Sequence, residues 1–447
     1  MNLVNAFTTD KRTFHRLSIL EVPSSWILIV APTKAVATET ISELRLGLQF
    51  IGARLEYEEA ESLLTLPISR TIRIVTATTL LEALSKRGLP NVQGLRLVVC
   101  ENLEQLDSVY ELGVSLLKIV TQSTSTRFVG LSASINDPTD LASWLDVEPA
   151  ALSSFRPQDR DQSLAISSQI FAIPHSVSLF KAMAGPAHRV IQYSPKGSST
   201  LIFVPSRGQC RSTALDLVTH CTLDTETTGS YIDVDISDEL IESYCARLND
   251  KTLVDFVNKG VGLFHPGIDK SDRNLMLGMY AEGCIRVLIV PKDSCWIVPV
   301  RAAVVIVMGT QFVQTIKEGS DTRRILDYSL TELVRMQSRA VQYTGSGQFH
   351  LFCQAEALPT YSRFLDDGLP VESQLTETKT LQKWVKTVFP RHIDKQRVLD
   401  ALSFTFLAQR VISNPSYYGF TNRNRDEILS AIVDQLVEAM CEPAKVS

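Results

Sequence analysis

The sequence predicts an α/β protein with two doubly wound parallel sheets, followed by a smaller helical domain. Short apolar, β-rich runs alternate with amphipathic stretches over residues 1–195, a pattern typical of parallel sheets covered by helices. The alternation restarts after the turn-rich residues 195–199. From about Pro370 the strand pattern fades and helical spacing takes over. These three observations together predict the fold class.

The first part of the chain begins its strand–helix alternation at residues 26–30, Trp-Ile-Leu-Ile-Val. A continuous apolar run of this length is typical of a strand buried on both faces of a parallel sheet. Residues 34–48 then carry apolar side chains at helical spacing. Further strands are predicted at 72–75, 97–99 and 127–131, and a further helix at 79–87.

The second and third parts follow the same reasoning. Strands of the second part are predicted at 201–204, 262–265, 285–290 and 304–308, with helices such as 208–217 and 270–281. Helices of the third part are predicted at 378–388, 394–412 and 426–440, with a loop at 414–419. The predicted domains are therefore 1–195, 196–367 and 368–447.

Composition limits the classes of function. A chain of 447 residues with 45% hydrophobic and 21% charged residues is expected to form two or three domains with sizeable cores. The formal charge of −5 argues against tight nonspecific binding to nucleic acid, although a local basic groove stays open. No apolar run approaches the ~20 residues of a membrane span, and no signal-peptide pattern is present, so an intracellular protein is expected.

The eight cysteines are scattered and form no Cys-x-x-Cys pair. A zinc site and a disulfide framework are therefore both disfavoured, and no metal site is predicted. Most of these cysteines are expected to be small buried apolar residues.

A series of short motifs extends along the chain. In order, they are Ala31-Pro32-Thr33-Lys34, Leu131-Ser132-Ala133-Ser134, Phe203-Val204-Pro205-Ser206-Arg207, Phe264-His265-Pro266-Gly267 with Arg273, Asp293-Ser294-Cys295-Trp296, Met336-Gln337-Ser338-Arg339-Ala340, Leu369-Pro370-Val371-Glu372-Ser373 and Asn414-Pro415-Ser416-Tyr417-Tyr418. Each motif is weak alone, but their order and spacing cover essentially the whole chain.

This series resembles motifs Ia, III, IV, V and VI of superfamily 2 DExH helicases, with the linker and winged-helix signatures of their two-cassette members. The chain is most similar to the C-terminal, degenerate cassette of the large spliceosomal DExH-box RNA helicases. It is nearly as similar to the two-cassette helicases of ribosome-quality control and the activating signal cointegrator complex. The resemblance implies two RecA-like domains and a winged-helix domain. In the spliceosomal family the C-terminal cassette is catalytically silent, and it acts as a regulator and a platform for protein docking.

The box Cys100-Glu101-Asn102-Leu103 stands where the resemblance places an Asp-Glu-x-His box. Magnesium prefers hard oxygen ligands, whereas Cys100 offers a soft sulfur that is mostly protonated near neutral pH. Leu103 replaces the histidine. Glu101 is kept, but a base that positions water has no use without a held γ-phosphate and a metal ion.

Other parts of the expected nucleotide machinery are also missing. The chain contains no Gly-x-x-x-x-Gly-Lys-Ser/Thr motif and no Gly-Lys pair, so it lacks a glycine-rich phosphate cradle. Of the two arginines expected in motif VI, Arg339 remains and Gln342 takes the second place. In motif V, Pro291 and Ile297 stand where threonine and glycine are usual. No catalytic residue is therefore assigned.

Three residues are weak candidates for contact with nucleic acid. Thr33 and Lys34 lie in the motif that resembles Ia, and Ser132 lies in the motif that resembles III. Capping of a helix by Thr33 is the competing interpretation. A basic stretch formed by Lys383, Lys386, Arg391, His392, Lys395 and Arg397 could touch RNA or a partner cassette, or be a solvated helical face.

The resemblance implies a noncatalytic pseudo-helicase cassette in a nuclear, spliceosomal RNA helicase. Its expected partners are the active cassette of the same protein and other spliceosomal proteins, with RNA contact weak or indirect and no membrane contact. No cofactor is expected, and ATP enters only as a static structural ligand in a third interpretation. The alternative is a working ATP-dependent RNA helicase of the quality-control type, with a phosphate loop outside the residues of this chain.

Overall fold

The computed structural model describes residues 2–5, 26–48, 54–57, 63, 66–67, 71–86, 92–159, 163–224, 229–233, 235–315, 323–340, 347–377, 379–421 and 424–441. The chain divides into two compact units. The first combines Met1–Asp159 with Asp366–Ser447, and the second is Arg160–Leu365. The helical end of the chain thus joins the first unit. The three domain boundaries drawn from the sequence stay a prediction.

The first unit contains a seven-stranded sheet in the order β3-β4-β2-β5-β6-β1-β7, and all of its strand pairs are parallel. The strands are β1 (Asn2–Asn5), β2 (Trp26–Ala31), β3 (Arg54–Tyr57), β4 (Thr71–Thr76), β5 (Leu95–Cys100), β6 (Arg127–Ser132) and β7 (Leu152–Ser154). Every side chain of β2 is buried, as its apolar run predicts.

Helices follow most of these strands. They are α1 (Lys34–Leu48), α2 (Ala77–Ser85), α3 (Ser108–Thr121) and α4 (Thr139–Trp144). Thr76 caps α2 by accepting a hydrogen bond from the backbone N–H of Thr79, and Asp107 caps α3 in the same way through Tyr110. Each side-chain cap satisfies a helix N–H group that has no partner within the helix. The helices therefore begin directly at the carboxyl edge of the sheet.

The second unit contains a six-stranded, all-parallel sheet in the order β10-β11-β9-β12-β15-β8. Its strands are β8 (Leu164–Phe171), β9 (Thr200–Val204), β10 (Val261–Leu263), β11 (Val287–Pro291), β12 (Val304–Met308) and β15 (Gly347–Gln354). An antiparallel pair, β13 (Gln311–Thr315) and β14 (Arg323–Asp327), stands apart from it. The helices of this region are α5 (Val177–Tyr193), α6 (Arg207–Leu223), α7 (Asp238–Arg247), α8 (Val254–Val257), α9 (Lys270–Ala281), α10 (Leu330–Gln337) and α11 (Leu358–Asp367).

The end of the chain is helical in its described part, with α12 (Thr380–Val388), α13 (Lys395–Ser403), α14 (Leu407–Ser413) and α15 (Arg425–Cys441). These helices form an apolar core that includes Leu112 of α3. Between 379 and 441 the described residues form no strand, and the winged-helix assignment stays a prediction.

The single helix predicted over 394–412 is wrong, because the structure divides it at Phe404–Phe406 into α13 and α14. The break has a physical cause. It frees the backbone N–H of Leu407, which donates to the buried carboxylate of Glu111 at 2.7 Å. The hydroxyl of Thr405 turns back to the carbonyl of Leu402 at 2.6 Å and covers the end of α13.

Two parallel α/β sheets confirm the predicted fold class. Within the described residues, no helix has both the length and the apolar character that a membrane span needs. The same residues contain no cluster of three or more His, Cys, Asp or Glu side chains that could hold a metal ion.

Candidate functional site

The box that replaces Asp-Glu-x-His lies at the carboxyl end of β5, in the centre of the first sheet. Cys100 is the last residue of that strand and pairs with Val30 of β2 and Gly130 of β6. Its side chain is completely buried. Burial, with the nearby charge of Glu101, raises the pKa of the Cys100 thiol to about 12. The sulfur is therefore a neutral thiol at physiological pH and a poor ligand for a hard cation.

The rest of the box is folded into a tight turn. Asn102 adopts a left-handed backbone with φ 51° and ψ 53°, a conformation that asparagine tolerates better than most residues. The side chain of Leu103 is fully buried in the apolar core of the first unit. Leucine at the histidine position therefore serves packing.

Tyr110 holds the box to the neighbouring strand. Its hydroxyl lies 2.8 Å from the carbonyl oxygen of Glu101 and 3.0 Å from that of Val30. The backbone N–H of Glu101 also donates to the Val30 carbonyl at 2.9 Å. Burial raises the pKa of Tyr110 well above its usual value, so the phenol keeps its proton and can donate. The backbone of Glu101 is thus fixed by the fold.

Glu104 joins the box to the motif that follows β6. One carboxylate oxygen accepts a hydrogen bond from the side-chain amide of Asn102 at 2.9 Å. The other accepts from the hydroxyl of Ser132 at 3.2 Å and from the backbone N–H of Ala133 at 2.9 Å. The carboxylate therefore occupies three donors at the carboxyl ends of β5 and β6. Sequence reasoning missed Glu104, although an acidic side chain two positions after the turn residue Asn102 was a usable signal.

The position of β1 bears on the missing phosphate loop. Asn5, at the carboxyl end of β1, pairs with Ser132 at the end of β6. The chain leaves β1 toward β2 on one side of the sheet and leaves β6 toward β7 on the other. This reversal makes a topological switch point, the place where parallel sheets bind ligands. Residues 6–13, Ala-Phe-Thr-Thr-Asp-Lys-Arg-Thr, come next in the sequence and contain no glycine; they lie outside the described residues.

The three weak nucleic-acid candidates have different surroundings. Thr33 is exposed, and its hydroxyl accepts from the backbone N–H of Val36 at 3.4 Å, a weak capping contact at the start of α1. Lys34 is exposed. Ser132 is fully buried and its hydroxyl donates to Glu104. A role for Thr33 and Lys34 in binding stays a prediction, whereas the Ser132 hydroxyl already has a partner within the protein.

In the second unit, the motif V region is tied to α10. Lys292 is buried and forms ion pairs with Glu332 at 2.8 Å and Asp293 at 2.9 Å. Its ammonium group also lies 4.1 Å from the ring centroid of Phe312, within the range of a cation–π contact. This lysine therefore connects the end of β11, the start of α10 and the first strand of the β13–β14 pair.

The motif VI region is packed rather than open. Arg339 has only 3% of its surface exposed. The guanidinium of Arg335 lies 5.2 Å from the ring centroid of Trp296, and its Nε donates to the carbonyl of Cys295 at 3.4 Å. Gln342 lies outside the described residues. The packing of Trp296 against Arg335 is a contact that the motif comparison did not predict.

Two parallel α/β sheets, with helicase-like motifs at the ends of their strands, are consistent with a helicase cassette. Comparison with known proteins supports this class. No protein-family model matches the chain. The chain is 28% identical over 374 residues to the U5 small nuclear ribonucleoprotein 200 kDa helicase of Drosophila melanogaster. The aligned residues make up 81% of this chain and 17% of that protein.

The human protein of the same name is 29% identical over 357 residues, 77% of this chain and 16% of its own length. The RQC trigger complex helicase SLH1 of Saccharomyces cerevisiae is 28% identical over 439 residues, 94% of this chain and 22% of its own length. The chain thus spans about a sixth to a fifth of the length of these relatives. They confirm the predicted resemblance: the chain is related to DExH-box superfamily 2 helicases, and its RecA-like sheets are consistent with one helicase cassette of such a protein.

Proposed function

We propose that this chain is a catalytically silent helicase cassette, kept for its surfaces. The observation that carries the proposal is the state of the box after β5. Its first residue is a buried thiol with a pKa of about 12, its last residue is part of the core, and Glu104 fills the neighbouring donors. The first position of the box therefore offers a thiol where magnesium needs an oxygen ligand. The Ser132 hydroxyl and the Ala133 N–H, which could face a phosphate, already donate to Glu104.

The second unit supports the same conclusion. ATP hydrolysis needs stabilisation of the charge on the transferred phosphate, and loss of an arginine finger alone costs about 10³–10⁵ in rate. Here Gln342 replaces one arginine, and Arg339 is buried. The loss of a metal ligand at Cys100 and the loss of an arginine at Gln342 both act against ATP hydrolysis.

The alternative is an active helicase of the quality-control type, with its phosphate loop outside the residues of this chain. The topology of the first sheet argues against it. The strand beside β6 at the switch point is this chain's own β1, and the residues that follow β1 lack glycine. A loop supplied from elsewhere would have to reach the carboxyl end of a strand that already continues into another sequence.

We further propose that the cassette belongs to a larger, nuclear RNA helicase of the pre-mRNA-splicing type, in which it regulates an active cassette and docks other spliceosomal proteins. Sequence similarity to the U5 ribonucleoprotein helicases supports this setting. The similarity to SLH1 keeps the quality-control setting as the second candidate.

Phosphate release and calorimetry test the proposal. The purified chain, with magnesium, ATP and single-stranded RNA, is expected to release no more phosphate than its Glu101→Gln variant. Isothermal titration with magnesium-ATP is expected to show no heat of binding. Hydrolysis that the Glu101→Gln change abolishes would overturn the proposal. Binding without hydrolysis would instead establish ATP as a static ligand.

A further inference from the structure

The outer face of helix α12 carries a row of lysines that nothing in the fold explains. Lys379, Lys383 and Lys386 are all exposed. The side chains of Leu381, Trp384 and Val385 on the opposite face are buried. At 1.5 Å rise per residue, the three lysines lie along one line of roughly 10 Å. We call this face, with Arg391 and His392 that follow it, the lysine row.

The lysine row has no counter-charge of its own. From residue 379 to residue 393 the sequence contains no Asp or Glu, although the whole chain carries a formal charge of −5. Among the described residues, the structure gives no ion pair to any of the three lysines, nor to Arg391. By contrast, Lys395 just beyond the row pairs with Asp434 at 2.6 Å.

Helix stability accounts for one member of the row only: Lys386 lies in the last turn of α12, where a cation is favourable. Lys379 stands at the N-cap of α12, and no side chain caps that end. A cation there faces the positive end of the helix dipole and costs up to about 1 kcal/mol. A cation in an unfavourable position for folding points to a role in binding.

A further cation is placed at the other end of the helix. The guanidinium of Arg397 lies 5.2 Å from the ring centroid of Phe389. That ring packs edge-on against Trp384 of α12, with 6.3 Å between centroids. These two contacts hold the first turn of α13 at the carboxyl end of α12, so that Arg397 extends the positive surface.

We propose that the lysine row binds the phosphodiester backbone of a nucleic acid, without reading its sequence. The chemistry of the surface favours this partner over an acidic protein. The side chains beside these lysines are polar: Gln382 is half-buried, and Thr387, directly after Lys386, is exposed. Protein interfaces need an apolar or aromatic centre and are depleted in lysine, whereas a line of flexible point charges suits regularly spaced phosphates. This site is independent of the proposed loss of ATP hydrolysis.

The test is fluorescence anisotropy of the whole chain with a short labelled single-stranded RNA over a series of salt concentrations. Each lysine lost from a single-strand contact should reduce the slope of log K against log salt by about 0.7. The triple variant Lys379→Gln, Lys383→Gln, Lys386→Gln is therefore expected to bind more weakly, with a slope lower by about 2.

Matched variants separate charge at this site from charge in general. Lys181→Gln, Arg189→Gln and Lys196→Gln together remove three exposed cations of the second unit and should leave the slope unchanged. The triple change to arginine at the lysine row should keep the binding. A thermal melt confirms folding of each variant.

Two results would overturn the proposal. One is an unchanged slope in the triple glutamine variant. The other is tighter binding of a poly-glutamate peptide than of RNA, with the same loss in that variant, which would assign the surface to an acidic protein partner.

Discussion

The carboxylate of Glu104 accepts a 2.9 Å hydrogen bond from the backbone N–H of Ala133. This contact joins the turn after β5 to the first residue after β6. In a nucleotide-binding sheet, groups at this edge face the ligand. Here they face a side chain of the protein itself.

Removal of this carboxylate should loosen the edge of the sheet. We expect Glu104→Ala to lower the free energy of unfolding by about 1–3 kcal/mol, because it leaves the buried Ser132 hydroxyl and the half-buried Ala133 N–H without this acceptor. Glu104→Gln should lose less, since its amide oxygen still accepts. Urea denaturation measures both, with the exposed Glu438→Ala as control. Equal stability of Glu104→Ala and the parent chain would show that the hydrogen bonds of Glu104 do not stabilise this edge of the sheet.

Glu111 should make stability depend on pH. It is fully buried and accepts from Ser373 Oγ at 2.7 Å and from Leu407 N at 2.7 Å. Burial outweighs these bonds and raises its pKa from 4.5 to about 7. The folded state therefore holds a proton that the unfolded state has released. Its contribution to stability is full below about pH 4.5 and is lost as the pH rises through about 7.

The matched variant for this prediction is Glu111→Gln, which is neutral at every pH. Stability measured by urea at about pH 5 and about pH 8 should fall by roughly 2–3 kcal/mol more in the parent chain than in the variant. Parallel pH profiles for the two proteins would show that Glu111 is charged in the folded state throughout.

Arg410 should not tolerate replacement by lysine. Its guanidinium forms ion pairs with Asp140 and Glu372, and its Nε donates to Glu372 at 2.9 Å. Asn414 and Tyr418 of the Asn-Pro-Ser-Tyr-Tyr motif also donate to Glu372, each at 2.9 Å. A lysine cannot reproduce this forked geometry. We expect Arg410→Lys to cost about 2 kcal/mol or more, against no measurable change for the exposed Arg45→Lys.

The environment of Glu372 gives a second readout for the same variant. Burial alone would raise the pKa of Glu372, but hydrogen bonds from Arg410, Asn414 and Tyr418 lower it below 4.5. This group therefore stabilises the fold above about pH 4.5, and that contribution is lost as the pH falls through the lower folded value. Arg410→Lys should shift the acid-unfolding midpoint upward, and an unchanged midpoint would count against the network.

Cys100 should resist alkylation in the folded protein. Burial raises its pKa to about 12, and those of Cys210 and Cys295 likewise, so few thiolates form at neutral pH. Iodoacetamide followed by mass spectrometry should modify the partly exposed Cys245 before these three, and all four once urea is added. Early modification of Cys100 would mean that the end of β5 is open.

Much of the fold could be predicted from the sequence because parallel strands buried on both faces leave continuous apolar runs. The runs at β2, β5, β9, β11 and β12 were found in this way. Strand β8 was missed because most of its side chains are exposed and its sequence mixes apolar with polar residues. An edge strand has less need of burial, so it leaves a weaker pattern.

The contacts of the site could be predicted far less well. Cys100 and Leu103 were recognised because a motif comparison shows which residue is absent. Glu104 and Glu111 were missed, since their partners lie up to 296 positions away in the sequence and no periodicity reveals them. The break after Ser403 has the same origin: local spacing favours one long helix, and a distant carboxylate decides otherwise.

The hydrogen bonds of Glu104 to Asn102, Ser132 and Ala133 also affect the conformational dynamics expected of a silent cassette. A motor domain alternates between shapes because its binding site is in turn filled and emptied. The Glu104 carboxylate is covalently part of the chain and cannot dissociate. Binding and release of a ligand would therefore not drive conformational change at this edge of the sheet. A partner that docks on this unit would then bind the same surface at every step of the ATP cycle of the active cassette.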